Sequence, residues 1–211
     1  MSHNKTLVCF ARSRKNGGCC VAGKEWLGGQ PGSWVRPVNI LTGGATMHGV
    51  SVLDALDIFE VPLGAPVPQG HQTENYRLAA RAHWIHRGRL PWGDVSQWLD
   101  TPAPLWQNGC HSCCGYNDRV PPGTATSSLR LIQVERCDVV ITRDHKLRAR
   151  FNYLGDDYDL ALTDLWFDGL QQHQPATHTL REVTMCISLG EVFNGYCYKL
   201  VAALLFPRRF Q

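Results

Sequence analysis

A chain of 211 residues is long enough for one large domain or two small ones. With 44% hydrophobic and 18% charged residues it can bury a core, which excludes an intrinsically disordered chain. The net charge of +3 and a pI of about 8.4 suit an anionic partner, yet fall short of the strongly basic signature of a dedicated nucleic-acid binder.

In chain order, the first predicted strands cover roughly Thr6 to Ala11, Cys20 to Trp26, Trp34 to Val38 and Leu53 to Val61, with Pro62, Pro66 and Pro68 expected to stop the sheet. Residues 69–126 read as a connector. It opens with aromatic and cationic residues interleaved (Tyr76, Trp84 and Ile85 among Arg77, Arg81, Arg87 and Arg89), a pattern that stacks bases or pins a surface segment to the core. A helix follows near 92–101, where Trp92, Val95, Trp98 and Leu99 share a face and Pro102 ends the run. From residue 127 onward alternation returns. Ala149 to Tyr153 and Tyr158 to Thr163 flank a glycine turn as a hairpin, and the nearly all-apolar run after Tyr196 should be the most buried strand. The expected architecture is mostly β with minor α. Two OB-like small barrels, at 1–68 and 127–211, are joined by the partly helical connector, since two groups of about five short strands suit small barrels better than one open sheet.

No uncharged apolar run reaches the roughly 18 residues that a membrane helix needs. The opening M-S-H-N-K-T-L-V-C-F lacks a secretory leader, so a cytoplasmic, non-membrane protein is expected. Its nine cysteines then read as reduced thiols.

Charge is uneven along the chain. Up to residue 40 six cations (Lys5, Arg12, Arg14, Lys15, Lys24, Arg36) face one acid, Glu25. The turn R-S-R-K-N-G-G offers charge from Arg12, Arg14 and Lys15, neutral hydrogen bonds from Ser13 and Asn16, and glycines that let backbone amides approach an anion. Trp34 and Arg36, two apart in a strand, would share a face and hold a base beside its phosphate; a structural cation–π contact is the other reading. Arg119, in N-D-R at 117–119, joins the expected anion-binding set, although the same tripeptide also reads as a local turn.

Catalytic and metal signatures are thin. No phosphate-binding glycine loop and no nucleophile elbow occurs, which leaves Asp118 and Asn117 as the alternative catalytic pair. C-H-S-C-C is half of a zinc site at best, so Cys110, His111, Cys113 and Cys114 form the alternative metal set against an expectation of none. No cofactor is expected.

The N-terminal L-V-C-F-A-R-S-R-K-N-G-G with W-V-R-P-V resembles the dual OB-containing domain family of prokaryotic proteins. So do E-N-Y at 74–76, Y-N-D-R-V-P at 116–121, S-L-R-L-I at 128–132 and I-S-L-G-E-x-F-x-G-Y-C-Y-K-L-V-A at 187–202. The resemblance covers essentially the whole chain in order, and it implies two OB modules with a nucleic-acid or nucleotide-sensing role in bacterial conflict and defence. Cys19 and the Cys110 to Cys114 cluster depart from that pattern. The expected function is therefore a non-catalytic nucleic-acid or nucleotide-binding module. The alternatives are an enzyme acting on such a ligand and a scaffold that docks protein partners in a defence complex.

Overall fold

The computed structural model describes residues 3–15, 18–39, 53–79 and 82–209. They fall into two compact units, Met1–Leu99 and Asp100–Gln211, each built on a closed five-stranded β-barrel.

The first unit contains β1 (His3–Lys15), β2 (Gly18–Leu27), β3 (Gln30–Val38), β4 (Asp57–Pro66), β5 (Asn75–Leu78) and β6 (Ile85–Arg89). The ring runs β1-β2-β3-β5-β4 and returns to β1, with β3 and β5 parallel and β6 added outside on β4. β1 serves two neighbours. His3 to Val8 pair with β4, Leu7 to Lys15 pair with β2, and an irregularity between Cys9 and Ala11 bends the strand between the two jobs. Leu7 to Ala11 are all buried because the strand is covered on both faces there. Gly23 allows this bend: a Cβ at that position would lie 2.2 Å from the Val8 carbonyl oxygen.

The predicted helix is a 3-10 helix, Trp92–Trp98. Three residues per turn put Trp92, Val95 and Trp98 on one line, and Val95 and Trp98 are buried. The Trp98 ring lies 5.5 Å from Phe10 and stacks on Trp26 at 5.7 Å.

The second unit repeats the plan with β7 (Arg119–Val120), β8 (Leu129–Ile141), β9 (Leu147–Tyr153), β10 (Asp156–Leu162), β11 (Ala176–Phe193) and β12 (Tyr196–Leu205). Its ring is β8-β9-β10-β12-β11 back to β8, with β10 and β12 parallel and β7 added outside on β12. Numbering each ring from its own first strand gives the same order, 1-2-3-5-4-1, with the third and fifth strands parallel. The β9–β10 hairpin turns at Leu154 and Gly155, both at positive φ, as a tight two-residue loop requires. β12 is buried along its last five residues.

Two details differ from the sequence reading. β4 runs through Pro62 and as far as Pro66. A proline removes a donor but not an acceptor, and the Pro62 carbonyl accepts from Ala79 N at 3.2 Å. The stretch read as a connector also holds β5, which the first ring needs for closure, so that unit extends to Leu99 and not to residue 68. Two of the interleaved arginines serve β6: Arg87 bonds Glu60 at 2.6 Å and Arg89 bonds Asp57 at 2.8 Å, while Trp84 stacks on buried Phe59 at 5.0 Å.

Asp164 and Lys199 are buried in the second unit in different ways. Asp164 Oδ2 meets Arg209 Nη1 at 2.6 Å with both side chains only 1% exposed. The same oxygen accepts from Leu204 N, and Oδ1 caps the 3-10 helix Leu165–Gln172 through Trp166 N. Burial pushes the Asp164 carboxyl up, and Arg209 opposes that shift. Lys199, 1% exposed, donates to Gln107 O at 3.0 Å and to Asn108 Oδ1 at 2.8 Å, with no carboxylate among these partners. Burial lowers its pKa from 10.5 to about 8.

Replacing Asp164 by Ala removes the carboxylate that answers the buried Arg209 guanidinium, and a loss of about 3–5 kcal/mol in urea unfolding is expected. Lys199 is protonated in the unfolded chain but neutral in the folded one between its two pKa values, so its contribution to stability rises with pH above about 8. The buried thiols Cys9 and Cys137, pushed up to about 12, act in the opposite sense above pH 9. Between pH 8 and pH 9 the slope of unfolding free energy against pH should therefore be more positive in the wild type than in Lys199→Met; equal slopes in the two proteins would refute this account.

Candidate nucleic-acid interface

In a five-stranded barrel of this type, the face of the second and third strands and the loops after the first and fourth strands are the usual places for oligonucleotides. The basic turn of the first unit is the loop after its first strand. There Arg12, Ser13, Arg14 and Lys15 pair across to Val21, Cys20, Cys19 and Gly18. Arg14 is exposed, while Arg12, Ser13 and Lys15 are half-buried. Arg12 Nη1 donates to the Leu53 carbonyl, and its Nε is shut from solvent with no hydrogen-bond partner among the described residues. Asn16 and Gly17 lie outside the described residues, as does Arg81.

Lys24 and Arg36 are turned inward. Lys24 is buried, donates from Nζ to Trp98 O at 2.6 Å, and sits 5.3 Å from the centre of the Trp34 ring, its register partner on β3. Arg36 is buried against Glu74 at 2.9 Å and Asn75 at 3.4 Å. The cation beside Trp34 is thus Lys24 from the neighbouring strand, and half-buried Trp34 also packs edge-on to Phe10 at 6.2 Å. A charge taken out of water must find a partner inside the protein, and these two have done so.

In the second unit N-D-R divides into two roles. Asn117, at φ 50, accepts from Gly109 N at 2.8 Å and donates to Asp157 O at 3.0 Å. Asp118 is buried and accepts from Ser112 N at 2.8 Å and Ser112 Oγ at 2.5 Å. Both side chains brace the loop before β7. Arg119 takes no part in that brace: it is half-buried, its guanidinium lies 4.0 Å from the centre of the Tyr196 ring, and its Nε is shut from solvent with no hydrogen-bond partner among the described residues.

Arg119 is not alone. It pairs with Tyr198 across β7 and β12, and Tyr198 meets Phe193 edge-on at 6.2 Å. Phe193 is 66% exposed and its β-partner is Tyr196. The turn between them, Asn194-Gly195, has positive φ at both residues and follows the fourth strand of this barrel. Phe193, Tyr196 and Tyr198 were missed at the level of sequence. The legible signal was the N-G hairpin turn with aromatics on both sides.

The cysteine cluster does not gather into a metal centre. His111 stacks on Tyr116 at 4.2 Å and its Nδ1 accepts from Asn117 N, Cys110 is half-buried, and Cys113 and Cys114 are exposed. Among the described residues no three His, Cys, Asp or Glu side chains are placed to hold a metal ion.

Neither a curated protein nor a solved structure matches the chain. A family model, the dual OB-containing domain, matches residues 5–204. That span takes in both barrels, whose repeated strand order and parallel third and fifth strands are those expected of two OB modules. The chain therefore belongs to the dual OB-containing domain family.

Proposed function

We propose that this protein binds single-stranded nucleic acid or a nucleotide without chemistry of its own. In keeping with the family resemblance, it would act as a sensing component of a prokaryotic defence system. The observation that carries the reading is Arg119, a guanidinium stacked on Tyr196 with an unpartnered Nε, beside exposed Phe193 at the loop after a fourth barrel strand. Aromatic faces take bases of any sequence, and a guanidinium beside them supplies both charge and a further stacking plane. In the first unit, exposed Arg14 and half-buried Lys15 would add steering charge, whereas Lys24 and Arg36 belong to the interior.

A non-catalytic role agrees with the way the alternative catalytic pair is used. Both oxygens of Asp118 are held by Ser112, and Asn117 is spent on Gly109 and Asp157.

Titration of labelled single-stranded DNA, RNA and mononucleotides at two salt concentrations tests the reading. Affinity should fall steeply with salt, and Arg119→Ala should reduce the slope of log K against log salt by about one. Phe193→Ala should weaken binding by about tenfold to a hundredfold, as expected for one lost stacking partner. Arg36→Ala should instead lower the unfolding midpoint, because it removes the ion-pair partner of buried Glu74. Absence of binding to every one of these ligands would sink the proposal.

A further inference from the structure

The chain contains two adjacent cysteine pairs, and the backbone treats them differently. Cys19-Cys20 lies in β2, where neighbouring side chains point to opposite faces, and Cys19 is buried while Cys20 is half-buried. Cys113-Cys114 occupies the two central positions of a tight turn closed by a bridge between Ser112 and Gly115. Here both thiols are exposed and the sulfurs converge to 3.4 Å.

The turn is held at both ends. Ser112 binds Asp118 through its backbone N and its hydroxyl, and the hydroxyl also accepts from Cys114 N at 3.2 Å. A Cβ on Gly115 would fall 2.2 Å from Asp118 Oδ2 and 2.5 Å from Arg148 Nη2, so the turn sits close against these two side chains. The thiols are therefore arranged before any ligand arrives, which lowers the ordering cost of holding both.

We propose that Cys113 and Cys114 form a dithiol site for a trivalent thiophilic centre of the arsenical class. A sulfur separation of 3.4 Å is far beyond the roughly 2.0 Å of a disulfide bond. Adjacent α-carbons, about 3.8 Å apart, also sit closer than the roughly 4.4–6.8 Å that an unstrained disulfide spans. Two sulfurs at this distance suit a shared pyramidal centre better than a bond to each other. The reaction is R–As=O plus two thiols giving R–As(S)2 plus water. Two As–S bonds form, the As=O bond breaks, the thiol protons leave with the oxygen, and arsenic stays trivalent. The hydrogen bond from Cys113 pushes the Cys114 thiol up, and the charges of Lys146 and Arg148 oppose that shift only in part.

Phenylarsine oxide added to the reduced full chain is the probe. One phenylarsenic group per chain is expected by intact mass, with two thiols lost together, stable to excess glutathione and removed by a small dithiol. Cys113→Ser and Cys114→Ser should each abolish the glutathione-stable adduct, while Cys20→Ser and Cys110→Ser retain it. Because both target thiols are exposed, the first two variants should unfold at the wild-type midpoint. A glutathione-stable adduct that persists in either variant, or none in the wild type, overturns the proposal.

Discussion

Closure of each sheet on itself is the constraint from which the rest follows. β1 is 13 residues long, and β8 and β11 have 13 and 18, lengths that let a single strand pair with both neighbours. The bend between Cys9 and Ala11 turns β1 from β4 toward β2, and closely similar irregularities interrupt β11 between Cys186 and Ile187 and again between Leu189 and Val192. With the ring closed, the strands that would have been edges are paired, and a polar backbone that would otherwise invite other chains is satisfied internally. Closure also decides where the loops emerge, and hence which side chains stand around the barrel mouths.

The barrels sort the positive charge of the chain into two populations. Lys24 and Arg36 are sealed inside the first unit by Trp98 O, Trp34, Glu74 and Asn75; Lys199 and Arg209 are sealed inside the second by carbonyls and by Asp164. Burial makes these cations structural, since each must keep its partners or lose its charge. Arg148 and Arg150 meet Asp159 from two sides, so the acidic stretch after Gly155 is largely answered by its own neighbours on β9. Arg119 differs because its guanidinium lies over an aromatic face, 4.0 Å from the centre of the Tyr196 ring. The aromatic residues around Arg119 belong to the second barrel, whereas the highest net charge along the chain belongs to the first.

Much of the fold was legible in local pattern. Period-two alternation over Leu147 to Tyr153 and Tyr158 to Leu162, broken by a glycine, specifies a hairpin because both strands and their turn are contiguous. Trp92, Val95 and Trp98 at intervals of three announce a helical turn packed on one side. β5 was hidden in the connector for the opposite reason. Its four residues gain their strand character from a parallel partner, β3, almost forty positions earlier, and no local periodicity records such a pairing.

The sequence by itself determined the β character, the two-barrel plan, the basic first turn and the hairpin turns, because propensity, alternation and turn chemistry act over a few neighbouring residues. Only the tertiary structure decided which charges face inward, that Asn117 and Asp118 brace a loop while Arg119 takes no part in that brace, and that Phe193, Tyr196 and Tyr198 gather around that arginine. It also decided that one pair of adjacent cysteines splays across a strand while the other converges in a turn. These outcomes depend on strands brought together from distant parts of the chain and on the solvent each side chain loses there, and neither quantity is written in any local stretch of sequence.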